Sequence, residues 1–300
     1  MFLLQEMPIL TLKQPEGFSF RSTVYSHGWS ELRPFELDVS RWRLTYVFTN
    51  ETGTKASLGT IFEKRGKIFL DLFDDKVPAE KALRDTAHIL RLDDDLTGFY
   101  EVVVKHGAVP WAAERGAGRL LRSPTVFEDL VKTICTTNCS WGLTKIMVTN
   151  LVEKLGIRAQ GGSRAFPTAK AMASVDEDFY RDEIRAGYRS PYFVELAQRV
   201  ASGELHPQNW LTSELPTPEL KKEMKKVKGV GDYAAENLLK LVGRYDGLAL
   251  DSWLRSQFYK RHNNEKPCRD KKIERHYSKF GEWRGLVIWC DMTEKWIADI

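Results

Sequence analysis

The stretch ELKKEMKKVKGVGDYAAENLLKLVG, residues 219–243, decides how the chain is read. Its pattern predicts a basic helix ending at Val227, a Lys-Gly-Val-Gly turn, and a second helix starting at Asp232. Gly229 and Gly231 admit backbone conformations closed to other residues and let another backbone come close. Consecutive N–H groups then precede a helix N-terminus, an arrangement suited to a phosphate oxygen. Over 220–244, Lys221, Lys222, Lys225, Lys226, Lys228, Lys240 and Arg244 against Glu223, Asp232 and Glu236 sum to +4, equal to the net charge of the whole chain. Alone, such a turn is also how ordinary helix pairs reverse, and lysines ordinarily line a solvated face.

Beyond the second helix comes LALDSWLRSQF, in which Asp251 precedes a helix predicted to begin at Ser252. An Asp in that setting serves as an N-cap whatever else it does. Working outward, 300 residues imply two or three domains. With 42% hydrophobic and 29% charged residues the composition is that of a globular protein. Met1–Leu10 starts apolar but lacks a basic flank, and no apolar run is long enough to span a membrane, so the expectation is a chain neither secreted nor membrane-bound. The cysteines at 135, 139, 268 and 290 match no common zinc or iron–sulfur spacing and read as free thiols of a reducing compartment.

The first ninety or so residues read as β-rich. GFSFRSTVYS, WRLTYVFTN, KASLGTIFEK and KIFLDLFD alternate β-branched or aromatic residues and are separated by ETGT and KRG turns. After Pro78 the period becomes helical. Ser123-Pro124, Ser190-Pro191 and Thr217-Pro218 are predicted to start helices with the first residue as N-cap, and a helix around Leu143–Leu151 is expected to stop near Gly156. The fold class is therefore α+β: an antiparallel β-rich domain over 1–95 and a mostly helical one over 96–300, which holds the hairpin (219–243) and the Asp251 loop (247–253).

Residues 219–255 resemble the helix-hairpin-helix motif of the DNA glycosylase superfamily: hairpin, helix, short loop, then an acid. RAGYRSPYFVELA (185–197), SPTVFEDLVKTICTTNCSWGLTKI (123–146), EWRGLVIWCD (282–291) and GFSFRSTVYSHGW are similar, in the same order, to segments of the alkylpurine and 8-oxoguanine branch. The resemblance implies an enzyme of base excision repair that flips a damaged nucleotide from double-stranded DNA and cleaves its N-glycosidic bond. It implies that Asp251 is the catalytic carboxylate, stabilising positive charge on the sugar and orienting the attacking water. Lys228, Gly229, Val230 and Gly231 would clamp the DNA backbone, and the carbonyls of Lys225, Val227 and Val230 would hold Na+ or K+. Asn138 would fill the gap left by the flipped base, Arg189 would contact the opposite base, and Trp289 would stack on the extruded one. On residue type alone, Asn138 is a loop Asn, Arg189 a surface residue and Trp289 a core aromatic.

Where bifunctional relatives carry a Schiff-base lysine this chain has Tyr233, which implies a monofunctional enzyme without β-lyase activity. Gly285 replaces the Gln that reads 8-oxoguanine, and Leu143 replaces a second base-reading Arg. The four-cysteine iron–sulfur cluster of other relatives is missing, so no cofactor is expected to be required. Tyr233, Trp253 and Trp289 suggest an electron-rich base pocket suited to a cationic alkylpurine such as 3-methyladenine. Two alternatives stand beside this. Asn237, a turn after Tyr233, would hydrogen-bond a neutral base in an enzyme for hypoxanthine, uracil or 8-oxoguanine; or the chain binds damaged DNA without chemistry. A monomer is expected, at work in the nucleoid or cytoplasm of a bacterium or in a eukaryotic nucleus.

Overall fold

The computed structural model describes residues 9–298. Five strands lie in the first 72 residues, with one short α-helix between the first two: β1 (Leu10–Lys13), β2 (Glu36–Asp38), β3 (Arg43–Thr49), β4 (Ala56–Lys64) and β5 (Lys67–Leu72). The helices are α1 (Phe20–Val24), α2 (Ala79–Leu90), α3 (Thr97–Lys105), α4 (Pro110–Glu114), α5 (Val126–Thr136), α6 (Trp141–Leu155), α7 (Ala169–Ala173), α8 (Glu177–Asp182), α9 (Ser190–Ala201), α10 (Thr217–Met224), α11 (Asp232–Leu241), α12 (Ser252–His262), α13 (Asp270–Tyr277) and α14 (Arg284–Ala298). The class is α+β, as expected. None of the described helices is long and apolar enough to cross a membrane. By packing, the chain divides into two compact units. One takes the sheet, α2 and α5–α9; the other takes 17–26, 94–120 and everything from Gln208 onward.

In the first unit the strands are antiparallel in the order β1-β5-β4-β3-β2. One row of apolar residues runs across all five: Leu10, Leu70, Ile61, Leu44 and Leu37 are successive partners. Leu44, Tyr46 and Phe48 alternate along β3, and Ile68, Leu70 and Leu72 along β5, so period two places them on one buried face. The ETGT and KRG segments make the turns between β3, β4 and β5, with Arg65 and Gly66 both at positive φ. GFSFRSTVYS departs from expectation: its centre is α1, not a strand. Ser19 caps it, its hydroxyl accepting from the Ser22 N–H at 3.2 Å, and Phe20, Thr23 and Val24 are buried at helical spacing.

Three predicted helix starts also shift. The cap of α5 is Thr125, whose hydroxyl accepts from the Glu128 N–H at 3.2 Å, while the Ser123 hydroxyl accepts instead from Lys132 Nζ at 3.3 Å. Ser190 and Thr217 lie inside their helices rather than capping them, and the Ser190 hydroxyl donates to Gly187 O. The stop at Gly156 is observed.

Buried charge fixes α5 to the sheet. Lys132 meets Glu128 at 2.7 Å, one turn apart, with both side chains almost wholly buried. The Tyr46 hydroxyl of β3 donates to Glu128 at 2.7 Å, and the Lys132 ammonium lies 4.6 Å from the Phe35 ring centroid. Asp129 accepts from Trp29 Nε1 at 2.7 Å, and burial pushes its carboxyl up to about 6. A pair of this kind contributes little net energy but is costly to break singly. Glu128→Ala is expected to destabilise the protein by about 3–5 kcal/mol in urea titration, and Glu128→Ala/Lys132→Met to recover most of that loss.

Candidate active site

The chain between α11 and α12 is held from two sides. Glu236 and Lys240, one helical turn apart on α11, grip one peptide: Lys240 Nζ donates to Leu248 O at 3.2 Å, and the Ala249 N–H donates to Glu236 Oε2 at 2.5 Å. Ala249 sits at φ 53°, a conformation that this double grip maintains. Glu236 Oε1 is itself bound by Lys221 of α10 at 2.6 Å. From the other side the Gly285 N–H donates to Tyr245 O at 2.6 Å, and Arg284 Nε donates to Asp246 O. A Cβ built on Gly285 would lie 2.0 Å from Gly247 O. Position 285 is glycine because this loop lies against it, and no glutamine fits there unless the loop moves.

The loop delivers Asp251 to the N-cap of α12, which begins at Ser252 as expected. Asp251 Oδ1 accepts from the Leu254 N–H at 2.7 Å, which fixes the carboxylate's orientation. Lys240 is almost fully buried. Burial draws its ammonium down to about 8, against the opposing pull of Glu236 and Asp251. The α11 grip was not found from sequence, although a charged pair at i, i+4 on a helix with an apolar face is a signal that could have exposed it.

Tyr233, Asn237, Trp253 and Trp289 all belong to this second unit and are partly buried. The Asn237 side-chain amide folds back on its own helix, donating to Tyr233 O at 2.9 Å. Trp289 Nε1 donates to Ser26 O at 3.0 Å. Trp253 and Trp289 have ring centroids 6.2 Å apart, and Trp296 completes the group at 5.1 Å and 5.9 Å from them. Trp296 is 41% exposed and was missed; two turns after Trp289 on α14, it shares that helix face.

The hairpin needs two corrections. The helix α10 ends at Met224, three residues early, and only Gly229 takes a glycine-type conformation, at φ 88°. Gly231 has φ −85°, and a Cβ there meets nothing within 4 Å, so its glycine leaves room for an approaching backbone without serving the fold. The charge is also less available than a count implies. Lys221 and Lys225 both bind Asp232, at 3.1 Å and 3.0 Å, Lys226 binds Glu223 at 2.7 Å, and Lys240 is buried. Lys222 and Lys228 stay exposed.

In the first unit, Asn138 is exposed in the α5–α6 loop at φ 46°, which Asn tolerates better than most residues. Arg189 is buried rather than on the surface. Its Nε donates to Ile134 O at 3.1 Å, its Nη2 donates to Thr137 O, and so it closes the end of α5 just before Asn138. The guanidinium also lies 4.4 Å from the Tyr188 ring centroid. Tyr188 is 50% exposed, donates to Thr137 O at 3.3 Å and lies at hydrogen-bond range of Asn138. Its exposure beside Asn138 was not foreseen, although the Gly-Tyr-Arg run contains it.

No protein-family model matches the chain, and no curated protein sequence does. Solved structures do. The Clostridium acetobutylicum 8-oxoguanine glycosylase/lyase, in complex with double-stranded DNA containing cytosine opposite 8-oxoguanine, matches with TM-score 0.73 and 18% identity over 99% of this chain and 100% of that one. The 3-methyladenine DNA glycosylase of Archaeoglobus fulgidus matches with TM-score 0.76 and 16% identity over 97% of this chain and 100% of that one. The chain has the DNA glycosylase fold. The DNA-3-methyladenine glycosidase of Bacillus halodurans shares it over 68% of this chain and 92% of its own, at TM-score 0.51 and 19% identity. Structures named for 8-oxoguanine and for 3-methyladenine thus share this fold, so the fold does not by itself distinguish between them.

Gly229→Ala is expected to destabilise this glycosylase fold by about 1–2 kcal/mol, whereas Gly231→Ala should change stability by less than about 0.5 kcal/mol in the same urea titration. Lys240 gives a pH signature. Its folded pKa is below its unfolded value of 10.5, so its contribution to stability is present above 10.5 and is lost as pH falls towards 8. The stability difference between wild type and Lys240→Met should therefore move in favour of wild type as pH rises from 8 to 10.5.

Proposed function

We propose that the chain is a monofunctional DNA glycosylase that flips a damaged base from duplex DNA and hydrolyses its N-glycosidic bond, the base being a purine alkylated on a ring nitrogen, such as 3-methyladenine. The observation that carries this reading is Asp251. It is a half-buried carboxylate, oriented by the Leu254 N–H, on a loop gripped by Glu236 and Lys240, in the unit that also holds Tyr233, Trp253 and Trp289.

Bond cleavage builds positive charge on the sugar. A carboxylate whose Oδ1 is fixed by a backbone N–H leaves Oδ2 to stabilise that charge and to orient water. Preorganisation matters because no reorientation is needed as charge develops. A ring-alkylated purine is cationic and already a good leaving group, so recognition by aromatic faces, worth about 0.5–2 kcal/mol each, matches its chemistry. The back-bonded Asn237 amide favours this reading over one in which Asn237 donates to a neutral base. Tyr233 cannot form a Schiff base, and the Lys240 amine is buried against Leu248 O, so strand cleavage by β-elimination is not expected.

Lys228, Gly229, Val230 and Gly231 would receive the DNA backbone, with Gly231 leaving space for its approach. Asn138 and Tyr188 would meet the duplex at the vacated position and the opposite base, with Arg189 buried behind them and holding the backbone that presents them rather than touching a base. The carbonyls of Lys225, Val227 and Val230 suit a Na+ or K+ ion. Lys225 is the C-cap of α10, at the negative pole of its dipole, and Val227 O, which accepts from the Val230 N–H at 3.1 Å, keeps a second lone pair. Such an ion would stiffen the turn.

The test is release of free base from duplex DNA carrying 3-methyladenine under single-turnover conditions. Asp251→Asn is the informative variant because Asn caps a helix as well as Asp does. It should stay folded and lose about 10²–10³ in rate. Equal rates for wild type and variant would contradict the assignment, as would a covalent enzyme–DNA complex trapped by borohydride.

A further inference from the structure

At the far end of α12 from Asp251 lies a cluster that base excision does not use. His262 is the last residue of α12, His276 lies in α13 and Asp291 in α14. His262 Nε2 donates to Asp291 Oδ2 at 2.7 Å, the Tyr277 hydroxyl donates to the same oxygen at 2.5 Å, and Arg261 Nε donates to Oδ1 at 2.8 Å. The two imidazole centroids are 4.5 Å apart. One ligand atom from each of His262, His276 and Asp291 lies within 4.8 Å of the other two.

We propose that His262, His276 and Asp291 form a binding site for Zn2+ or a similar divalent transition-metal ion, which ties α12, α13 and α14 together. Two imidazole nitrogens and one carboxylate oxygen are the donor set that such ions favour, with water in a fourth position. Donors around one tetrahedral Zn2+ lie about 3.3 Å apart, so the present spread closes by rotation of the two partly exposed imidazoles. The ion takes the place of the proton between His262 Nε2 and Asp291 Oδ2; in a neutral imidazole that proton is carried on Nδ1 instead, and an imidazolium releases it to solvent. Tyr277 and Arg261 remain on the carboxylate and hold its orientation, as groups behind metal ligands commonly do.

Charge agrees with this. Arg261 is shared between Asp291 and Glu294, which leaves one net negative charge for a cation. The 11 residues of α12 put the cluster about 16 Å from Asp251, so the ion acts on the packing of three helices and not on the reacting sugar.

The test is titration of the full chain with Co2+, read by visible absorption, and with Zn2+, read by calorimetry and by the thermal midpoint. One equivalent should bind to the wild type and raise the midpoint. His262→Ala and His276→Ala, with folding checked by circular dichroism, should each lower affinity at least about tenfold, and the exposed-surface control His206→Ala should not. No saturable binding by the wild type, or equal binding by the two histidine variants, would overturn the site. The outcome is independent of base release, since Asp251→Asn leaves all three donors in place.

Discussion

A single peptide unit, Leu248–Ala249, carries the organisation of the second unit. Its carbonyl is bound by the ammonium of Lys240 and its neighbouring N–H by the carboxylate of Glu236, both from one face of α11. Buried backbone groups demand partners, and here both partners are charged groups, so both bonds are charge-assisted. With the Tyr245–Gly247 segment pressed against Gly285 from the other side, the loop has little freedom. Asp251 is where it is because the Leu248–Ala249 peptide just before it is held in place.

The same grip explains two features that would otherwise look unrelated. Gly285 reads as a lost base-contacting residue until the loop is seen lying over it at a distance no side chain permits. Lys240 reads as part of a basic hairpin until it is seen buried, with its ammonium turned inward. Both positions serve the placement of one carboxylate. The first unit shows a parallel device at Arg189, whose guanidinium closes α5 and thereby sets the backbone that presents Asn138 and Tyr188.

Much of this was legible in the sequence wherever local physics decides. Strands β3, β4 and β5 follow alternation and their turn residues, α11 follows the Lys-Gly-Val-Gly turn, and α12 follows the cap at Asp251. The misses share a cause. GFSFRSTVYS alternates like a strand, but the Ser19 cap and burial at helical spacing prevail. Ser123 is not the predicted cap, its hydroxyl being taken by Lys132, nine residues on. Hairpin lysines read as available charge, although Asp232 and Glu236 lie within reach once the two helices fold back. Trp296 joins Trp253 only when α12 meets α14. Partners distant in sequence, or brought close only by folding, are what local pattern cannot supply.

The most direct measurement is the single-turnover rate of base release by Glu236→Ala, set beside its affinity for the same lesion duplex. Glu236 touches neither the sugar nor the base in this account; it holds Ala249 and through it Asp251. A displacement of that carboxylate by about 1 Å is enough to cost about 10²-fold in rate. The account predicts such a loss of rate with duplex affinity nearly unchanged. An unaltered rate, or a loss confined to affinity, would contradict it.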